Sequence, residues 1–215
     1  MPTLQLSMPT LQTINAKTVL SLFLALPRLR YPSRLRVQEG LSNLDLARSI
    51  LLTEWYDQAA DDDLFLFVDS DQTFTAEDVH ALIDLGGDVA VGACLSRQGI
   101  PNIKPKDMEA FVAGRDPELL SGGTGVMLIR RPVLTRAAAF LAQEYGHERI
   151  WASERNPRVI PFFKQRFQPN EAGGQRWQGE DFAFCWLVRQ VGGRIVGLLS
   201  PTIGHELSEV KYIRL

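Results

Sequence analysis

Residues 64–71 read LFLFVDSD, and this stretch decides the fold. Leu64–Val68 is an unbroken apolar run, closed by Asp61-Asp62-Asp63 on one side and by Asp69 on the other. Such a run, without polar alternation, predicts a strand buried on both faces, hence a central, parallel position in a sheet. Downstream, Thr75 and Asp78 make a capping box for a helix reaching about Leu85. Gly86-Gly87 ends that helix, and Asp88–Leu95 returns as another strand. Upstream, Leu4–Met8 is a short strand running into Pro9-Thr10. A helix over about Asn15–Leu26 stops at Pro27, because proline cannot continue it. Leu35–Gln38 forms a second strand, followed by Gly40 and a cap at Ser42. The next helix, about Asn43–Gln58, places Leu44, Ala47, Leu51 and Trp55 on one face.

Ser96–Leu120 is rich in Gly, Pro, Lys and Asp and reads mostly as a surface excursion with one helical turn at most. Gly122-Gly123-Thr124-Gly125 then leads into a strand, Val126–Arg130, and Pro132 suits the first turn of a helix reaching about Glu144. Ile150–Trp177 is polar and irregular, with one strand expected around Val159–Phe167 and a mobile loop at Pro169–Arg176. From Glu180 a helix sets Phe184, Leu187, Val188 and Val191 at i, i+3, i+4, i+7 and ends at Gly192-Gly193. A last strand, Ile195–Leu199, precedes Pro201 and His205. Strand and helix patterns alternate throughout. The expected fold is therefore α/β, one domain over residues 1–215 with a mixed, mainly parallel sheet flanked by helices.

The bulk composition excludes several classes. The 215 residues are 45% hydrophobic and 22% charged, close to the globular average, so wholesale disorder is ruled out. A net charge of -2 offers no footprint for nucleic acid. One basic cluster, Arg28, Arg30, Arg34 and Arg36, reads as solvated surface in preference to a docking site for phosphate or an anionic membrane. Cys94 and Cys185 sit among apolar residues; two buried free thiols suit a reducing compartment and make a poor zinc site. Val19–Leu26 is too short to cross a bilayer of roughly 30 Å. It also lacks a basic leader and a cleavage site, so a buried helix in a soluble, cytoplasmic protein is expected.

Three features carry chemistry. Asp69-Ser70-Asp71 closes the central strand, and ligands of open α/β sheets gather at the carboxyl ends of strands. With period-2 alternation Asp69 and Asp71 point to the same side, so both carboxylates can face one ion, and oxygen donors suit Mg²⁺ or Mn²⁺. The alternative is a polar loop. Gly179-Glu180-Asp181 opens the late helix, where acids also serve simply to complement the dipole. His205 follows the last strand; His80 and His147 read as surface residues. Gly122–Gly125 forms either a tight turn or a backbone surface open to a ligand, and Trp177 either packs or stacks on a sugar ring.

In this order and spacing, LFLFVDSDQTF, SGGTGVMLIRRPVL and WQGEDFAFCWLVRQVGGRIVGLLSPTIGH resemble the GT-A glycosyltransferase superfamily, particularly its small viral and bacterial members without a membrane anchor. LSMPT looks like the first-strand donor loop of that fold, and LSNLDLARSILLTEW is similar to its helix carrying an arginine near the nucleotide. The resemblance implies a metal-dependent transfer from a nucleotide-diphosphate sugar, uridine being the expected base, to a glycan or other hydroxyl acceptor. Asp71 and His205, with Asp69, would bind Mn²⁺ or Mg²⁺. Pro9, Thr10, Arg48, Asp69 and Ser70 would hold the donor. Asp181 would be the base of an inverting reaction, and Gly122, Gly123, Trp177 and Glu180 would face the donor sugar or acceptor. Residues up to about 120 would form the nucleotide half and the remainder the catalytic half. Two departures stand out: Ser49 replaces an asparagine that often follows the arginine, and residues 96–120 match no part of the pattern.

Two other readings compete. FLFVDSDQT also resembles the signature of haloacid-dehalogenase-type phosphatases, with Asp69 as nucleophile, Asp71 as acid/base and Glu180-Asp181 as metal acids. That signature normally occupies the first strand, and the matching late lysine is missing. A non-catalytic nucleotide-sugar-binding module is the third.

Overall fold

The computed structural model describes residues 1–11, 13–95, 100–147, 149–150, 158–169, 173–206 and 210–211. In chain order the elements are β1 (Leu4–Thr10), α1 (Ala16–Ala25), β2 (Ser33–Glu39), α2 (Leu44–Gln58), β3 (Leu64–Val68), β4 (Gln72–Thr73), α3 (Ala76–Asp84) and β5 (Val89–Ala93). Then follow β6 (Ile103–Pro105), α4 (Met108–Val112), β7 (Leu119–Gly122), β8 (Val126–Arg130), α5 (Arg131–Tyr145), β9 (Arg166–Pro169) and β10 (Gln175–Gln178). The last are α6 (Glu180–Gln190), β11 (Ile195–Leu199), β12 (Gly204–Glu206) and β13 (Val210–Lys211).

The main sheet has six strands in the order β11-β5-β8-β3-β1-β2. Pairings of β1 with β2 and β3, and of β11 with β5, are parallel, while β8 runs antiparallel to both β3 and β5. The sheet is thus mixed and mainly parallel, with one reversed strand inserted at its centre. LFLFV is buried along its whole length, and its alternation splits it between two cores. Phe65 and Phe67 face one layer with Trp55 of α2, Leu134 of α5 and Phe184 of α6. Leu64, Leu66 and Val68 face the other with Leu22 of α1 and Val79 and Leu82 of α3. Each fully buried side chain of this kind contributes about 1.5–3 kcal/mol, which is why the strand tolerates no polar alternation.

Several local readings stand as expected. Thr75 and Asp78 form the reciprocal capping box that starts α3. Gly86 and Gly87, with φ 70° and 82°, follow α3 in the left-handed conformation that glycine takes without strain. Others need correction. The 19–26 segment is not a buried helix: α1 buries Thr18, Leu22 and Ala25, whereas Val19, Leu20, Phe23 and Leu24 are exposed. Leu44 does not join Ala47, Leu51 and Trp55 in the core but is exposed at the start of α2. Of the 96–120 segment, residues 96–99 lie outside the described residues; residues 100–120 are more than an excursion, because β6 pairs with β7 and both Phe111 and Leu119 enter the main core. Around Val159–Phe167 no long strand forms. Ile160, Phe162 and Phe163 instead plug the core, their backbone tied down by Thr53 Oγ1 to the Ile160 N–H (3.1 Å) and Ser49 Oγ to the Phe163 N–H (3.1 Å). Of the loop expected at Pro169–Arg176, Pro169, Gln175 and Arg176 are strand residues of the antiparallel β9–β10 pair, and residues 170–172 lie outside the described residues. Among the described residues no helix is long and apolar enough to cross a membrane.

Candidate active site

The carboxyl end of β3 turns sharply: the Asp69 N–H donates to Gly125 O (2.9 Å) and the Gln72 N–H to Asp69 O (3.1 Å). The turn sends the chain into β4, and β4 pairs antiparallel with β12, setting His205 opposite Gln72. Asp78, beyond its cap role, accepts from the Thr202 hydroxyl at 2.9 and 2.7 Å and from that of Ser200, fixing the segment that delivers β12. The outcome is a contact between residues 134 positions apart, with His205 Nε2 2.9 Å from Asp71 Oδ2. The other ring nitrogen lies 3.3 Å from Leu95 O. Asp71, His205, Ser70 and Asp69 line one side of a cleft of about 570 Å³, and Pro9, Thr10, Leu41 and Leu44 line the rest. Thr10 is fixed there by donating to Thr13 O (2.8 Å) and accepting from the Gly40 N–H (3.1 Å).

Asp69 has different company. Arg48, on α2 and 2% exposed, donates from Nη2 to both Asp69 oxygens (2.8 and 2.9 Å) and from Nη1 to Glu180 Oε1. Burial pulls the Arg48 pKa down, but Asp69, Glu180 and Asp181 together raise it above its ordinary value, so the guanidinium stays charged. Asp181, next along α6, is pushed up to about 6, first by burial and then by the Glu180 carboxylate. The Phe182 N–H, donating to Asp181 Oδ1 at 2.7 Å, and the Arg48 charge work in the opposite sense. Asp181 therefore titrates close to neutrality, where a carboxylate is most useful for moving a proton.

The structure brings some expected residues together and gives others further partners. Pro9, Thr10, Ser70, Asp71 and His205 share the cleft. Asp69, expected on the metal, has both oxygens on Arg48, and Glu180, expected toward the sugar, is Arg48's second partner. Gly122 turns into the core: a Cβ there would stand 2.8 Å from Val91 Cγ1, so packing explains this glycine. Gly123 lies beside Asp181, whose Oδ2 would be 3.5 Å from an added Cβ. Trp177 is 59% exposed on β10, its ring edge-on to Phe167 at 4.9 Å, in a separate concavity beside α6. Among the described residues no three His, Cys, Asp or Glu side chains group as a complete metal cage. Asp71 and His205 supply one oxygen and one nitrogen, a set that fits a divalent ion taking its remaining ligands from water and a phosphorylated substrate.

Two residues escaped the sequence reading. Asn102 bridges three strand ends: its Oδ1 accepts from the Cys94 N–H (2.8 Å), its N–H donates to Cys94 O (2.9 Å), and its carbonyl accepts from the Gly123 N–H (2.8 Å). Gln72 fills the space over Gly125, where a Cβ would come within 2.9 Å of Gln72 Cδ. A polar residue inside a patternless segment carries no local signal of such a role.

Fold and site together define an α/β domain with an acid–imidazole pair in the wall of a cleft and a carboxylate of raised pKa near a buried arginine. The fold is similar to that of A197 from STIV, with a TM-score of 0.58 over 96% of this chain and 86% of that one. The two are 18% identical, so the likeness is one of fold. No protein-family model and no curated protein matches the chain.

Proposed function

We propose that the chain is a metal-dependent glycosyltransferase of the GT-A type, moving a sugar from a nucleotide-diphosphate donor to a hydroxyl acceptor with inversion. The observation that carries this reading is the Asp71–His205 contact of 2.9 Å at the wall of the 570 Å³ cleft. Two segments 134 positions apart meet at one point in the wall of that cleft. The cleft wall of Pro9, Thr10 and Ser70 would hold the nucleotide, and Asp69, aimed by Arg48, would meet the ribose. Asp71 and His205 would hold Mn²⁺ or Mg²⁺, which neutralises charge on the leaving diphosphate. Asp181 takes the proton of the acceptor hydroxyl as its oxygen bonds to the anomeric carbon; the bond to the diphosphate breaks and its electron pair leaves with the nucleotide. A pKa of about 6 keeps Asp181 ionised and basic near neutral pH.

The phosphatase reading asks Asp69 to attack phosphorus, yet both of its oxygens accept from a buried guanidinium. A nucleophile so held must first give up its strongest partner.

Nucleoside diphosphate release from a panel of nucleotide sugars, UDP-sugars first, tests the proposal. Release should require Mn²⁺ or Mg²⁺ and vanish in Asp71→Ala. Metal-independent release, or release that survives that substitution, overturns it. Turnover of p-nitrophenyl phosphate without nucleotide would transfer the case to the phosphatase.

A further inference from the structure

A second concavity, about 270 Å³, opens beside the amino end of α6, with Gly179 and Phe182, the near neighbours of Asp181, in its wall. Three cations converge on it from different elements: Lys104 of β6, Arg176 of β10 and Arg189 of α6. Phe182 and Arg189 are seven residues apart on one helix and so share a face. Lys104 sits opposite Ser121 in the β6–β7 pair, and Ser121 also lines the concavity. Among the described residues none of these cations has a carboxylate partner. Several arginines elsewhere are paired with carboxylates, as in Arg30 with Asp84, Arg136 with Asp88 and Arg166 with Glu144.

Three unpaired like charges in one small concavity repel one another, and the chain as a whole carries a net charge of -2. Their convergence raises a local positive potential that only an anion relieves. The exposed ring of Trp177 on the same wall adds a flat apolar face of the kind that stacks on a pyranose. We infer that this concavity holds the acceptor and that the acceptor is an anionic saccharide, bearing a carboxylate or phosphate that Lys104, Arg176 and Arg189 grip beside the helix end that carries Asp181. The acceptor role rests on the transferase reading; the preference for an anionic sugar rests on the cations alone. The same cations offset the repulsion an anionic acceptor would meet from ionised Asp181.

Saturation-transfer NMR separates the two. Methyl β-glucuronide against methyl β-glucoside probes the carboxylate, and glucose 6-phosphate against glucose probes the phosphate. The charged member of at least one pair should bind about tenfold more tightly, and the pair that shows it identifies the anion. In Lys104→Gln/Arg189→Gln the preference should disappear with an unchanged thermal midpoint, since neither side chain is buried or paired. In Arg34→Gln/Arg194→Gln, which removes the same charge from exposed positions outside the concavity, it should persist. Equal affinities within both pairs, or a preference that survives the first double variant, overturn the inference. A preference present in a protein that releases no nucleoside diphosphate would instead sink the transferase reading and leave the anion site standing.

Discussion

The two acids of the Asp-Ser-Asp triplet leave the same strand end and line the same cleft, but they have different partners. Asp69 belongs to a buried ionic network, clamped by Arg48 of α2, which also holds Glu180 of α6. Asp71 stands at the wall of a cleft and meets His205, delivered by the short strand β12. The first arrangement is carried by helices that also build the core, so its charges are fixed against one another. The second depends on a two-residue ladder and a side-chain contact. A triplet that alternation presents as one site thus has one acid tied to a buried guanidinium and the other to an imidazole.

The comparison is broken most forcefully at Asp181, which belongs to the buried network yet is assigned the chemistry. Asp181→Asn should cut kcat by about 10²–10⁴ while leaving donor affinity nearly unchanged, measured as nucleoside diphosphate release. The same substitution should raise stability. The folded protein binds the Asp181 proton more tightly than the unfolded chain, because the pKa rises to about 6 on folding. The stability this confers is fully present below the unfolded value of about 3.9 and is lost as pH rises through about 6. Thermal midpoints at pH 7.5 should therefore be higher for the asparagine variant, and the gap should close as pH falls toward 4. A variant that keeps its rate, or that is less stable at pH 7.5, would return Asp181 to a helix-capping role.

Arg48 tests the scaffold itself. Arg48→Met preserves most of the side-chain volume but leaves Asp69 and Glu180 without their shared cation, and breaking a buried pair in this way costs about 3–5 kcal/mol. Urea unfolding should show that loss, and adding Asp69→Asn with Glu180→Gln should recover part of it, since the penalty lies in the charges left behind. A loss below about 1 kcal/mol would mean that the network behaves as a surface salt bridge and that Asp69 is free for another role.

Much of this was legible from residue pattern. LFLFV reads as a central strand because burial on both faces leaves no polar position, and Thr75 with Asp78 reads as a cap because the two bonds are local. The reversed direction of β8 was not legible: an apolar run has the same composition whichever way it crosses the sheet. The apolar residues at 160–163 suggested a strand, but their partners are side chains of Ser49 and Thr53 more than a hundred positions away. Ser49, a departure from the GT-A pattern, thereby gains a reason, because its hydroxyl anchors the Phe163 backbone. Arg48 was expected beside the nucleotide, yet nothing in its neighbourhood announces Glu180, 132 positions downstream. Opposite charges attract without carrying an address.

The smallest effect falls at Asn102, which approaches Asp181 across Gly123. Asn102 Nδ2 and Asp181 Oδ2 both lie within 3.5 Å of the point a Gly123 Cβ would occupy. Asn102→Asp keeps an oxygen for the Cys94 N–H, so the strand ends stay tied and stability should change little. It also sets a second negative charge beside Asp181, which disfavours ionisation of the base. The acid limb of the rate profile should then move to higher pH by about half a unit to one unit, with an unchanged plateau. Because Asn102 touches neither the Arg48 network nor the Asp71–His205 pair in any hydrogen bond described, only a rate governed by Asp181 would respond. A limb that stays in place would show that another group sets the pH dependence, and a fallen plateau would show that Asn102 holds the site's geometry beyond tying three strand ends.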